Sequence, residues 1–233
     1  KNKGSILVFL PGEREIIKLA SYLTNKVPGN CQVFPLYGRL NFKDQKKAIK
    51  PISNGRKIVL ATNVAETSLT IEGIETVIDS GLSKRSIYDP NSGMARLVTQ
   101  KISKSEANQR MGRAGRLHPG ICYKLWSKAQ DGSFSDFPPS EIENSDLTPF
   151  ALELALWGSN INELSLLTRP KKKALAEAYK VLEMLGAVNK QLQITKNGRS
   201  LLKIPLHPRL AKIILAGGKD ATLLASILSN GDP

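Results

Sequence analysis

The sequence predicts an α/β protein whose parallel sheet is covered by helices on both faces and is followed by a mostly helical module. Three observations carry this. Short β-branched apolar runs alternate with helical stretches from Ser5 to Leu125, which is the pattern of a buried parallel sheet. A stretch of mainly Asp, Ser, Pro and Glu then covers 131–145 and reads as a linker. Behind it the period changes to helical stripes. The expected division is a first domain over 1–130, the linker, a second domain over 146–204 and the opening of a further helical domain over 205–233.

Strands are expected at Ser5–Leu10, Cys31–Leu36, Lys57–Thr62, Thr76–Ser80 and Ile121–Leu125, with helices over Glu13–Thr24 and Phe42–Ile49 between them. The segment Lys84–Gln100 breaks the alternation. Its turn-forming Asp89-Pro-Asn-Ser-Gly93 between two short runs predicts a hairpin. Past the linker, Asp146 is placed to cap a helix running to about Trp157. Pro170 stands where another helix would begin, with Leu175, Ala178, Leu182 and Leu185 on one stripe and Gly186 as its stop. A short strand at Leu192–Ile194 and a helix capped by Thr195 complete the pattern of a winged-helix module.

With 233 residues and 41% hydrophobic content, the chain can bury two cores. Lys and Arg outnumber Asp and Glu by 34 to 20, a formal charge of +14, which favours a polyanionic partner such as nucleic acid. A ribosome-associated or membrane-surface protein would be equally basic. Cys31 and Cys122, with no CxxC and no histidine cluster near them, indicate neither a disulfide framework nor a zinc site, and no metal ligands are assigned. No run approaches the roughly 20 apolar residues that cross a bilayer. A reducing, cytoplasmic setting without membrane contact is expected. The chain opens on Lys1 and closes inside an apolar helical stretch, so it is expected to be a piece of a longer protein.

The most informative segment is Gln109-Arg-Met-Gly-Arg-Ala-Gly-Arg116, preceded by the capping-box pattern Ser103-Lys-Ser-Glu106. On a continuous helix Gln109, Arg113 and Arg116 share a face. Two permanently charged guanidinium forks beside an amide suit the oxygens of a transferring γ-phosphate and the water that attacks it. A solvated basic helix face is the plainer alternative. Gly112 and Gly115 weigh against it, because each costs a helix about 1 kcal/mol relative to Ala and so points to a close approach by another backbone or a phosphate. Upstream, Thr62-Asn-Val-Ala-Glu-Thr-Ser-Leu-Thr-Ile71 follows a buried strand and is expected to open a helix, with Asn63 and Glu66 in capping positions and amides free for phosphate.

In this order the two segments resemble the fifth and sixth motifs of the DEAH-box/RNA helicase A family of ATP-dependent helicases. Ile6-Leu-Val-Phe-Leu-Pro-Gly12 resembles the fourth motif, and Pro35-Leu-Tyr-Gly38 and Val77-Ile-Asp-Ser-Gly-Leu82 resemble the elements around it. Beyond the linker, Leu182-Glu-Met-Leu-Gly-Ala187, Leu192-Gln-Ile-Thr195, Gly198-Arg199 and Pro205-Leu-His-Pro-Arg209 are similar to the family's winged helix and the start of its helical ratchet domain. The wording of Leu97–Gln100, Pro119–Cys122 and Leu125–Lys128 is nearest to the bacterial HrpB-like branch.

The resemblance implies a RecA-like fold for the first domain. It implies arginine fingers at Arg113 and Arg116, and placement of the hydrolytic water by Gln109. Ser68, Thr70 and Glu72 would line the nucleotide, and Thr62, Asn63, Gly12, Arg14 and Arg39 would touch the backbone of single-stranded RNA or DNA. Arg39 stands where relatives commonly carry a small hydroxyl residue. Ile49 lies near the position of an adenine-stacking aromatic and cannot stack. The chain has no GxxxxGK[ST] loop and no DEAH segment. In the family both lie on a preceding N-terminal RecA-like domain that holds most of ATP and Mg2+, so this chain by itself is expected not to hydrolyse ATP. Two other classes stay open here: a non-enzymatic nucleic-acid adaptor, and a regulatory piece docking through Leu152, Leu156 and Trp157, residues that far more often are plain core.

Overall fold

The computed structural model describes residues 4–52, 54–66, 69–90, 92–116 and 119–230. They form two compact units, one of Lys1–Arg85 with Leu97–Pro138 and one of Ser86–Arg96 with Pro139–Pro233. In chain order the first runs β1 (Ser5–Phe9), α1 (Glu13–Leu23), β2 (Cys31–Leu36), α2 (Phe42–Ile49), β3 (Arg56–Ala61), a 3-10 turn (Asn63–Ala65) and β4 (Ile74–Asp79). The hairpin of β5 (Leu82–Asp89) and β6 (Met94–Lys101) follows, with its tip Ser86–Arg96 in the second unit, then α3 (Lys104–Met111), β7 (Ile121–Lys124) and the single turn α4 (Lys128–Asp131).

The sheet has the order β2-β3-β1-β4-β7, and every pairing in it is parallel. Alternation along the strands covers both of its faces. Leu7, Phe9, Val59, Ala61 and Val77 enter one core, while Val8, Ile58 and Leu60 enter another with Ile16 of α1. Asn41 caps α2 by accepting from the Asp44 N–H at 3.0 Å. The other end of α2 is closed by Lys57, which is 1% exposed and donates from Nζ to the carbonyls of Ala48, at 2.6 Å, and Lys50. Burial pushes its amine's pKa down. On the outer strand β2, Pro35 pairs with Leu60 without an N–H to offer.

The second unit holds α5 (Glu141–Asn144), α6 (Thr148–Trp157), a 3-10 turn (Ile161–Glu163), α7 (Lys172–Met184), α8 (Lys196–Leu202) and α9 (Pro208–Asn230). Leu152, Ala155, Ala178, Leu182, Leu201 and Ala211 meet in its core. Gly158 and Gly186 end α6 and α7 with φ of 68° and 67°, as left-handed glycine stops do. Thr195 caps α8, accepting from Gly198 N at 3.0 Å. Three expectations need correction here. Pro170 precedes α7 by two residues and Lys171 is the N-cap, so its fixed φ serves the approach to the helix and not its first turn. The ribbon at Leu192–Ile194 reduces to the single bridge Val188↔Ile194, because a turn around Asn189 takes up Gln191 to Gln193. Asp146 lies one residue ahead of the N-cap, Leu147.

Asp146 anchors a polar chain. Its carboxylate accepts from Thr148 N at 2.8 Å and pairs with His207 Nε2 at 3.0 Å. Arg209 donates from its backbone to His207 Nδ1 at 3.2 Å, and from its guanidinium to the Gly93 carbonyl at 3.1 Å and the Tyr88 hydroxyl at 3.2 Å. A side chain at Gly93 would sit 1.6 Å from that guanidinium. Burial raises the Asp146 pKa, but the bonds from His207 and Thr148 outweigh it and hold it at about 2 against an ordinary 3.8. A depressed carboxylate stabilises the fold above its unfolded pKa and loses that contribution as pH falls through the folded one. At about 1.4 kcal/mol per unit this amounts to about 2 kcal/mol, lost between about pH 4 and pH 2. Thermal melts of wild type and Asp146→Asn at pH 7, 4 and 2 are expected to differ at pH 7 and converge at pH 2. Parallel curves at all three would show that the carboxylate contributes nothing.

Candidate functional site

Parallel pairing in matched register brings the strand ends to one edge. Phe9 lies opposite both Ala61 and Asp79, Leu36 opposite Ala61, and Asp79 opposite Lys124. Backbone bonds carry the alignment one residue further: Leu10 N to Ala61 O at 2.8 Å, Thr62 N to Leu36 O at 3.2 Å and Ser80 N to Phe9 O at 3.2 Å. The segments that leave this carboxyl edge are those singled out in the sequence. Arg14, Arg39 and Asn63 are exposed on them, Thr62 is half-buried and Gly12 is buried. A side chain at Gly12 would run into Lys84 Nζ at 2.5 Å, displacing it from its 3.1 Å pair with Glu15.

The two motif segments differ from the expected continuous helices. After Thr62 the described residues make a 3-10 turn, in which Glu66 N bonds Asn63 O at 2.9 Å, and Asn63 is not a side-chain cap. Ser68 lies outside the described residues. Helix α3 opens with the expected capping box of Ser103 and Glu106 but ends at Met111. Tighter turns follow, with Arg113 N to Arg110 O and Ala114 N to Met111 O both at 3.1 Å. Gln109, Arg113 and Arg116 therefore do not share an α-helical face. Gly112 and Gly115, poor helix formers, fall where the helix stops.

The three residues have different surroundings. Arg113 is 6% exposed, and its guanidinium donates to the Glu66 carbonyl from two nitrogens and to the Leu69 carbonyl at 2.6 Å. Burial, then the neighbouring Arg116, pushes its pKa down. Arg116 is exposed and reaches Thr70 Oγ1 at 3.2 Å. Gln109 is exposed on α3, and Thr70 and Glu72 are exposed on the facing segment. The structure thus brings Arg113, Arg116 and Thr70 together. Among the described residues no backbone crowds Gly115, and Gly112 meets only its own helix. The close approach falls instead at Gly120, where a side chain would sit 2.0 Å from Ala114 O.

Beneath these loops lies a group that pattern reading missed. Arg110 is fully buried, with Nε 3.0 Å from Glu66, a terminal nitrogen 2.8 Å from Asp79 and 3.2 Å from the Leu82 carbonyl, and its guanidinium 4.9 Å from the Phe9 ring centre. Glu66 is held twice, by its side chain through Arg110 and by its carbonyl through Arg113. Its burial raises the carboxyl's pKa, and Arg110 acts against that shift. The only trace in the sequence is one more arginine in an arginine-rich segment.

The fold and this site define the class: a RecA-like α/β domain that presents Arg113 and Arg116 against the segment between β3 and β4. The family model "Helicase conserved C-terminal domain" matches residues 1–118. ATP-dependent RNA helicase HrpB of Escherichia coli is 40% identical over 235 residues, covering 98% of this chain and 29% of that protein. HrpA of the same organism is 37% identical, covering 100% of this chain and 19% of that protein. A crystal structure of E. coli DExH-box NTPase HrpB superposes with a TM-score of 0.90 at 39% identity, covering 97% of this chain and 29% of that one. The chain belongs to the helicase conserved C-terminal domain family, in its DEAH-box/RNA helicase A branch. It spans less than a third of the length of these relatives.

Proposed function

We propose that this chain is the arginine-bearing half of an ATP-driven RNA helicase motor, completed by an N-terminal RecA-like domain of the same protein. The observation that carries the reading is Arg116, exposed near buried Arg113 with Thr70, on the segment between β3 and β4, as its hydrogen-bond partner among the described residues. An exposed guanidinium with a second, like-charged guanidinium near it suits a polyanion arriving from across a cleft. ATP would be held mainly by the other domain together with Mg2+; no group of His, Cys, Asp and Glu able to hold a metal occurs among the described residues.

In the cycle, water adds to the γ-phosphorus as the bond to the ADP oxygen breaks. Arg116 and Arg113 offset charge on the phosphoryl oxygens, Gln109 orients the water, and Ser68, Thr70 and Glu72 line the nucleotide. Arg113 would exchange a carbonyl partner for phosphate as the cleft closes. Thr62, Asn63, Gly12, Arg14 and Arg39 would hold the phosphates and sugars of one strand, so binding is sequence-independent and weakened by salt. On the same reading 146–204 is a winged-helix module, supported by the Val188↔Ile194 bridge between α7 and α8, and 205–233 opens a ratchet domain.

The test is ATP turnover by the longer protein with and without single-stranded RNA, and by this chain alone. Turnover that rises with RNA in the former and is absent in the latter is expected. An RNA-binding longer protein without turnover would mean a non-enzymatic adaptor.

A further inference from the structure

The second unit carries a groove to which the motor cycle assigns no task. It encloses about 1120 Å3 between the end of α6, one face of α7 and the turn before Ile194. Small-molecule pockets measure roughly 300–1,000 Å3, so this volume suits an extended ligand. Trp157, the last residue of α6, lines it while 59% exposed. Leu192 lines it at 45% exposure with a φ of 62°, the one positive φ outside glycine among the described residues.

A left-handed backbone is costly for leucine and easy for glycine or asparagine. The turn is nevertheless held: Asn189 Oδ1 accepts from Gln191 N at 3.0 Å and Gln193 N at 2.9 Å, and its carbonyl from Leu192 N at 2.9 Å. Strain over-determined by its neighbours is a mark of a working surface. The lining charge is mainly positive. Arg169, Lys172, Lys180 and Arg199 are exposed and have no ion pair among the described residues. Of the acids there, Glu163 and Glu183, the former is engaged by the Asn160 N–H at 3.0 Å.

We propose that this groove binds single-stranded nucleic acid, a base stacking on the Trp157 indole against Leu192 and phosphates meeting Lys180 and Arg199. The excess of unpaired cations favours a polyanion, and exposed aromatic surface among cations is what sequence-tolerant single-strand binders use. The inference rests on the motor reading only for its class of ligand, because its residues lie in the other unit.

The experiment titrates this chain with a fluorescent oligouridylate and maps photo-crosslinks from a 4-thiouridine version. Crosslinks to the peptides holding Trp157 and Leu192 are expected. Trp157→Ala should weaken binding about tenfold, and Lys180→Ala with Arg199→Ala should lower the salt dependence by a slope of roughly 1.4. Leu192→Asn should weaken binding without lowering the melting temperature, a combination that a structural leucine would not give. Absence of those crosslinks with affinity unchanged in all three variants overturns the proposal, as does a groove that takes an acidic peptide and no oligonucleotide. Loss of crosslinks at Thr62–Asn63 alone would instead count against the motor reading.

Discussion

Arg116→Ala in the longer protein is expected to lower RNA-stimulated ATP turnover by about a thousandfold while ATP still binds, since arginine fingers supply about 10³–10⁵ in rate. The side chain is exposed, so its removal leaves the core and the melting temperature unchanged. Its charge is needed most where phosphoryl oxygens gain charge, so kcat falls and KM changes little. Arg113→Ala should lower turnover as well but carry a second effect, because that guanidinium also ties down the Glu66 and Leu69 carbonyls. Lys at 116 should rescue poorly, a point charge replacing a fork. Steady-state kinetics with a parallel melt separate the two arginines. Normal turnover in Arg116→Ala would sink the catalytic assignment.

Arg110→Met is expected to destabilise the first unit by about 3–5 kcal/mol, the cost of leaving buried partners without their counter-charge. Methionine keeps the length and the contact with Phe9 but leaves Glu66 and Asp79, 9% and 0% exposed, facing each other without a cation. Adding Glu66→Gln and Asp79→Asn should recover much of the loss, because the penalty comes from unpaired charge and not from absent attraction. Thermal denaturation of this chain measures both. A loss under about 1 kcal/mol for the single variant would show that the group relaxes into water.

Much of the first unit was legible because its strands are short, β-branched and buried. β2 and α2 occur with the bounds expected, and β1, β3, β4 and β7 differ by a residue or two. The carboxyl edge followed from parallel pairing alone. Periodicity could not show that α3 stops at Met111, or that Asn63–Ala65 form a 3-10 turn, since both segments meet through carbonyls 44 and 47 positions away that take up Arg113. Arg110, Glu66 and Asp79 were unreadable for the same reason: their pairings span 44 and 31 positions. The hairpin was visible in its turn residues. That its tip groups with the second unit depends on Arg209, 116 positions beyond Gly93.

Pro35 makes the two flanks of the sheet unequal. On β2 it removes a donor from the outer row, so a further strand laid there would find a gap in the ladder and a ring in its path. The flank at β7 has no proline and carries Ile121 and Tyr123 at 44% and 54% exposure. The two open edges of the sheet thus differ in their hydrogen-bonding capacity: the row of donors along β2 is broken at Pro35, while none of the residues of β7 lacks its N–H.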